Sequence, residues 1–143
     1  MRDYTKIVAW QKADDLTVAV YEGTRSFPKD ELYALTSQLR RAAYSVPANI
    51  VEGSSRESKK DYLHFLYIAR GSLSETRYFI HLSRRLKYAD DAACKLLLDQ
   101  ANETMRVLAG LINAVEQEAG SVTRVIAKVT SAVVISLGWV IRP

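Results

Sequence analysis

The sequence predicts an all-α protein, an antiparallel up-down-up-down four-helix bundle with an apolar C-terminal extension. Three observations lead to this prediction. Apolar residues recur at spacings of three and four through the first 119 residues, where strand-like alternation is not evident. Breaks rich in proline, serine or aspartate divide this part into four helical segments. The connections between the segments are short, which favours antiparallel neighbours.

Size and composition are those of one soluble globular domain. The chain has 143 residues, of which 48% are hydrophobic and 25% charged, so it can bury a core. A single cysteine, Cys94, excludes an internal disulfide framework. Asp3, Lys6 and Lys12 interrupt the N-terminal stretch where a signal peptide needs apolar residues, which predicts a cytoplasmic location.

The first helix is predicted from about Thr5 to Arg25. Pro28 disfavours helical geometry at Phe27, so the second helix is predicted from about Lys29 to Glu52. Gly53 then suits the left-handed position that follows a helix. The apolar side of the first helix carries Ile7, Trp10, Ala13, Leu16, Thr17 and Val20.

The third helix has two candidate N-caps, Ser55 and Ser58, and Ser58 forms a capping-box-like pattern with Asp61. This helix is predicted to continue to about Lys87. Its small residues Ala69, Gly71 and Ser72 are interpreted as positions of close helix approach. Its apolar stripe is Tyr62, Phe65, Leu66, Ala69, Leu73 and Ile80.

The fourth helix is predicted from about Asp90 to Glu118, and acidic residues at its start suit the helix dipole. Its buried face is predicted to contain Leu97, Leu98, Ala101, Met105, Leu108, Leu111, Ile112 and Val115.

Gly120 and Ser121 mark a boundary, so residues 1–119 form the four-helix bundle and residues 120–143 a C-terminal tail. The tail's β-branched residues favour a strand, yet its apolar residues also fit helical spacing, with Arg124, Lys128 and Ser131 opposite them. Its conformation stays open. The uncharged run from Val129 to Ile141 has thirteen residues, short of the roughly 20 that cross a bilayer, so no membrane anchor is predicted. The bundle or another subunit should cover the tail.

The second helix carries a polar stripe adjacent to its apolar face. The stripe mixes amides, a hydroxyl and opposite charges, whereas a solvated face ordinarily carries lysine and glutamate. We therefore predict a half-buried hydrogen-bond network in which Arg41 pairs with Glu52 or Glu75, since an unsatisfied buried polar group costs about 1 to 3 kcal/mol. The alternative is an exposed face without a network. The network residues are Gln38, Arg41, Ser45, Asn49, Glu52 and Glu75.

Pro47 lies within this helix, where it removes one backbone hydrogen bond and crowds the carbonyl of Ala43. One interpretation is a kink, whose freed carbonyls Arg41, Asn49 or another helix would satisfy. The other is that the helix ends at Pro47 and a short new helix begins there.

Three stretches, "VAWQKADDL", "SFPKDELYALTSQLRRAAYSVPANIVEGSSR" and "YLHFLYIARGSLSE", together resemble the bacterial 23S rRNA intervening-sequence proteins. The resemblance covers roughly residues 4–117 and leaves the tail outside. It implies a four-helix bundle that assembles into a homopentameric ring. It further implies a relationship to the accessory variability determinant of diversity-generating retroelements, which binds a reverse transcriptase and nucleic acid. It implies no reaction.

The basic charge is concentrated in one segment. Residues 1–119 carry 17 basic and 16 acidic side chains, whereas residues 56–87 carry eight basic and three acidic ones. Repeated around a ring, a basic line would give salt-dependent nucleic-acid binding, with Tyr67 and Tyr78 available for stacking. The alternatives are a solvated face or salt bridges. The candidate nucleic-acid-binding residues are Lys59, Arg70, Arg77 and Arg84.

Signals of enzymatic chemistry are weak. Asp61 and His64 could share a metal, but a carboxylate-bridged di-metal bundle needs a second Glu-x-x-His pair, which this sequence lacks. His64 and His81 are interpreted as ordinary helix residues, and Cys94 as a small apolar residue rather than a nucleophile. No catalytic residue, metal or cofactor is predicted.

The sequence therefore predicts a non-catalytic, homo-oligomeric helical scaffold, pentameric by the resemblance. RNA, DNA or a reverse-transcriptase-like protein are its candidate partners through the third helix, and no membrane contact is expected. The alternative is a protein-interaction scaffold with no nucleic-acid role.

Overall fold

The computed structural model describes the backbone of residues 2–138 and the side chains of residues 2–120. Four α-helices account for most of the described chain: α1 is Val8–Gly23, α2 is Leu35–Ser55, α3 is Lys59–Arg85 and α4 is Asp91–Gly138. Short 3-10 helices at Tyr4–Lys6 and Lys29–Glu31 precede α1 and α2. The all-α prediction is confirmed.

Each helix packs against two others around the bundle. α2 contacts α1 and α3, and α4 contacts α3 and α1, whereas the backbones of the diagonal pairs do not come close within the described residues. Ion pairs show the antiparallel order of α3 and α4. Arg84, near the end of α3, pairs with Asp91 at the start of α4 (2.6 Å), while Lys59 at the start of α3 pairs with Glu118 (3.0 Å). This is the predicted up-down-up-down arrangement.

The core lies on the bundle axis and comes from the predicted apolar stripes. Four of the six residues predicted for α3's stripe are fully buried aliphatic or small residues, and Tyr62 is 2% exposed, while Phe65 is only partly buried. Fully burying a leucine-sized side chain contributes about 1.5 to 3 kcal/mol. The largest fully buried side chains include Tyr62, Leu16, Leu39, Ile50, Leu66, Leu73, Ile80 and Leu108.

The second helix begins later than predicted. The chain after Pro28 forms only the 3-10 turn Lys29–Glu31, and α2 starts at Leu35. The side chain of Glu31 accepts a hydrogen bond from the Leu35 amide (3.0 Å), so this carboxylate serves the free donor at the start of α2. At α3, Ser58 is the N-cap: its hydroxyl accepts from the Asp61 amide at 3.0 Å, as the capping-box pattern predicts.

Helix α3 ends in a tight turn that places a lysine in left-handed geometry. The Tyr88 amide donates to the Ser83 carbonyl (3.0 Å) and the Lys87 amide to the Arg84 carbonyl (3.0 Å), the two bonds of a Schellman motif. Lys87 has a φ of 58°, a backbone conformation that residues other than glycine adopt at a steric cost.

We expect Lys87→Gly to raise the free energy of unfolding by about 1 kcal/mol, because glycine adopts a positive φ without steric cost. Urea denaturation followed by circular dichroism at a fixed protein concentration measures the change. Arg85→Gly, inside the last turn of α3, should lower stability by about the same amount. A Lys87→Gly protein no more stable than the native chain contradicts this account of the turn.

Gly53 does not end α2 as expected, since the helix continues to Ser55 and none of the described glycines has a positive φ. Gly53 is buried where α2 crosses α3. A Cβ built on it would lie 2.9 Å from the Cβ of Phe65 and 3.0 Å from Cδ2 of Tyr62. The position needs glycine for close helix approach rather than for a special φ.

Gly71 has the opposite environment to the one predicted. Gly71 is exposed, and a Cβ built there meets no atom within 4 Å in this chain. Ala69, two residues earlier, is fully buried and fills the packing role. Close approach of α2 and α3 is therefore set at Gly53, not at Gly71.

Helix α4 does not end at Glu118. Its backbone remains helical through the expected boundary at Gly120 and on to Gly138. The side chains beyond residue 120, and residues 139–143 altogether, lie outside the described part of the structure. Within the part that is described, no helix combines the length and apolar character needed to cross a membrane.

Candidate functional site

Helix α2 passes through Pro47 without ending, so the interpretation that Pro47 terminates it is wrong. A proline at 47 has no N–H to give the carbonyl of Ala43, four residues earlier. The hydroxyl of Thr17, on α1, lies 3.1 Å from that carbonyl and 2.8 Å from the carbonyl of Ala13. One hydroxyl thus serves both oxygens, and another helix meets the acceptor that the proline leaves open. A bend at Pro47 stays a prediction.

Two members of the predicted polar stripe join a small network between α2 and α3. The side-chain amide of Asn49 donates to the backbone carbonyl (2.7 Å) and the hydroxyl (3.0 Å) of Ser45. The hydroxyl of Ser72, on α3, donates to the same Ser45 hydroxyl at 3.0 Å. Ser45 and Asn49 are partly buried, and they lie on either side of Pro47 in the chain. This cluster therefore links α2 to α3 next to the proline.

The other stripe residues are exposed, which corrects the prediction of a half-buried network. Arg41 and Glu75 face each other at 3.9 Å with 55% of each side chain exposed. The Arg41 guanidinium also donates to Gln38 (3.3 Å). Glu52 pairs with Arg56, four residues on, rather than with Arg41. Exposed pairs of this kind contribute at most about 1 kcal/mol, because water screens them.

Two of the four basic residues on α3 are engaged by α4. Lys59 pairs with Glu118, and Arg84 donates to Asp91 from its Nε. The hydrogen bond to Asp91 raises the pKa of Arg84 further above its ordinary value. Their charges tie α3 to α4 at both ends, which weakens the prediction that the whole line is free for phosphate.

Arg70 and Arg77 remain on the exposed side of α3. The Arg70 guanidinium lies over the ring of Tyr67, 4.9 Å from its centroid. The Tyr67 hydroxyl donates to Glu116 on α4, and this hydrogen bond is the main reason that the pKa of Tyr67 is raised. The ring is thus held in place with a cation above it. Arg70 and Arg77 are the part of the basic line that the bundle leaves available.

Sequence reasoning missed an apolar surface on the outside of the α1–α2 pair. We name the outer α1–α2 face by its exposed residues Val18 (53%), Tyr21 (41%), Tyr44 (46%) and Ala48. The Thr17–Ala43 contact sets α1 and α2 side by side, so that the next residue on each, Val18 and Tyr44, points away from the core. The sequence did contain a signal for this face, because Val18 and Tyr44 are large apolar residues that lie outside the apolar stripes of α1 and α2.

Arg40 crosses this face. Its guanidinium lies 4.9 Å from the ring centroid of Tyr21, and its Nε donates to the hydroxyl of Thr24 at 2.8 Å. The hydrogen bond to Thr24 thus holds the guanidinium over the ring, which orders this part of the face.

The weak metal and thiol candidates are not assembled into a centre. Within residues 2–120, no group of three histidine, cysteine or acidic side chains is placed to hold a metal ion. Asp61 is used by the α3 cap, where the Ser58 hydroxyl donates to its carboxylate (2.6 Å). Cys94 is 1% exposed, and burial raises the pKa of its thiol.

Comparison with known proteins identifies the same family that the sequence resembles. The sequence model of the 23S rRNA-intervening sequence proteins matches residues 5–110. A crystal structure of a protein with unknown function from the S23 ribosomal protein family of Bacteroides thetaiotaomicron superimposes with a TM-score of 0.67. The two share 24% identity, and the alignment covers 73% of this chain and 98% of that one, so it shows a common fold. No curated protein matches the chain.

Proposed function

Because this chain belongs to the family of 23S rRNA-intervening sequence proteins, we propose that it is a non-catalytic scaffold whose copies associate through the outer α1–α2 face. The number of copies, five in a ring, comes from the resemblance in sequence. A cytoplasmic location and a reverse-transcriptase-like partner are further parts of this proposal.

The exposure of Val18, Tyr21 and Tyr44 is the observation that supports assembly. Large apolar side chains that lie together on a surface are typical of interaction sites, and tyrosine and arginine are enriched where proteins associate. The outer α1–α2 face supplies both types, with Arg40 already ordered against Tyr21. It offers a second copy an apolar surface with a polar margin.

Light scattering coupled to gel filtration tests the proposal. We expect the native chain to elute as an oligomer at micromolar concentration and Tyr44→Asp to lower its mass, because the new carboxylate would lose water at the interface. Tyr78→Asp is the matched control, since Tyr78 is a similarly exposed helical tyrosine (58%) on α3. A native monomer, or equal masses for the two variants, overturns the proposal.

A second candidate function is nucleic-acid binding through α3. The position of the Arg70 guanidinium over the Tyr67 ring specifically favours it, because aromatic rings and arginine planes are the groups on which bases stack. With Lys59 and Arg84 paired to α4, the phosphate contacts fall mainly to Arg70 and Arg77.

Fluorescence anisotropy with a labelled single-stranded RNA, titrated at several salt concentrations, separates the two functions. Arg70→Ala with Arg77→Ala should weaken binding and reduce the salt slope by roughly 0.7 for each lost phosphate contact. Lys59→Ala with Arg84→Ala, which removes the same charge, should change the slope less. RNA binding that does not depend on salt, or equal salt slopes for the two double variants, excludes a nucleic-acid-binding role for Arg70 and Arg77.

A further inference from the structure

The buried seam of α4 follows helical spacing. Its buried residues lie at intervals of three and four, and from Leu108 onward these intervals alternate, which is the spacing of helices that pack side by side over long distances. The buried residues are Cys94, Leu97, Ala101, Thr104, Leu108, Ile112 and Val115.

The sequence continues this repeat beyond the bundle. Counting on from Val115 by four and three leads to residue 119 and then, in the same register, to four β-branched residues. These are Val122, Ile126, Val129 and Val133. The apolar seam that packs α4 into its own bundle thus runs on along a helix whose backbone extends to Gly138.

Residues 120–138 of α4, here called the extension, begin where α3 stops packing against α4. Lys59, the first residue of α3, pairs with Glu118. No earlier turn of α3 exists to accompany residues 120–138, which at 1.5 Å per residue form a helix about 29 Å long. This extension also lies beyond residues 5–110, the part that matches the family.

The charges of the extension indicate which partner packs against it. Arg124 and Lys128 are its only charged residues before Arg142, and both fall on the opposite side of the helical repeat from the seam. The positions flanking the seam are Thr123, Val125, Thr130 and Ala132, all uncharged. Copies of this segment can therefore meet seam to seam without like charges in contact, whereas an acidic partner would find no cation beside the seam.

We propose that residues 120–138 form an assembly helix that packs against the same segment of other copies, with Val122, Ile126, Val129 and Val133 at the shared seam. β-branched residues occupy both alternating seam positions, and that pattern favours bundles of more than two helices. The proposal concerns a separate surface from the outer α1–α2 face and does not depend on it.

Two aspartate variants of the full-length chain test the seam. Val129→Asp places a carboxylate on it, and the matched control Ser131→Asp places the same group on the far side of the same turn. We expect Val129→Asp to raise the concentration at which the chain assembles by at least about tenfold, because a carboxylate in an apolar seam has no partner. Ser131→Asp should leave this concentration nearly unchanged. Equal behaviour of the two variants overturns the proposal.

Cysteine cross-linking provides a second measurement that does not require the oligomer to dissociate. Under mild oxidation, Val129→Cys should form disulfide-linked dimers on a non-reducing gel, and Ser131→Cys far fewer. The native Cys94 is buried and common to both variants. Repeating both in the Tyr44→Asp background distinguishes the two surfaces. Cross-linking that persists there shows that the extension associates on its own. Equal cross-linking at positions 129 and 131 rejects the seam, even if Tyr44→Asp lowers the mass of the oligomer.

Discussion

Replacing Gly53 with alanine is expected to lower the free energy of unfolding by about 1 to 3 kcal/mol, although alanine is the better helix former. The added Cβ would lie 2.9 Å from the Cβ of Phe65, 3.0 Å from Cδ2 of Tyr62 and 3.3 Å from the Tyr62 carbonyl oxygen. Neither a Cβ nor a backbone oxygen can swing aside, so α2 and α3 must separate. Gly53→Val should cost more, because it adds two further carbons to the same contact.

Gly71→Ala is the matched control, since Gly71 also lies inside a helix but has no neighbour within 4 Å of the added Cβ. Here only helix propensity acts, and stability should rise by about 0.5 to 1 kcal/mol. Chemical denaturation of the variants at one protein concentration gives the comparison. A Gly53→Ala protein at least as stable as Gly71→Ala would show that the α2–α3 crossing is not tight at Gly53.

Thr17→Val should destabilise the protein by roughly 1 to 3 kcal/mol, because it leaves the carbonyl of Ala43 without a donor. The shape of the side chain is preserved, so the effect isolates the hydroxyl. In a Pro47→Ala background the restored amide of residue 47 can donate to that carbonyl. The cost of Thr17→Val should then fall by at least about 0.5 kcal/mol, the coupling expected of groups that serve one acceptor.

Thr104→Val is the control for this cycle. The Thr104 hydroxyl also lies near two backbone carbonyls, those of Gln100 (2.9 Å) and Lys12 (3.3 Å), and no proline is involved. Its cost should be the same with either residue at position 47. If Pro47→Ala leaves the cost of Thr17→Val unchanged, the hydroxyl does not compensate for the proline.

The fold was predictable because its determinants are local and periodic. The stripe from Tyr62 to Ile80 gave the buried face of α3, and the Ser58–Asp61 pattern gave its cap. The start of α2 was missed because the chain after Pro28 forms a 3-10 turn, from which the Glu31 carboxylate accepts a hydrogen bond from the Leu35 amide at the start of the helix. Where the helix begins depends on three-dimensional geometry that periodicity does not contain.

The candidate site was less predictable because burial and pairing depend on neighbouring helices. Arg41 and Asn49 share one sequence stripe, yet Asn49 is partly buried and bonds Ser45, which Ser72 on α3 contacts, while Arg41 stays exposed. Helical spacing places residues on a face but cannot say where a neighbouring helix stops covering it. Lys59 and Arg84 likewise have acceptors on α4 that are distant in sequence.

The order of the helices around the bundle has a consequence for synthesis on the ribosome. Three of the four helix pairs join segments adjacent in the chain, so each can form as soon as its second member emerges, and such local contacts fold quickly. The α1–α4 pair must wait. Until α4 has been made, the side of α1 that α4 will cover stays open, and this nascent intermediate is the state in which chaperones or neighbouring chains would find apolar surface.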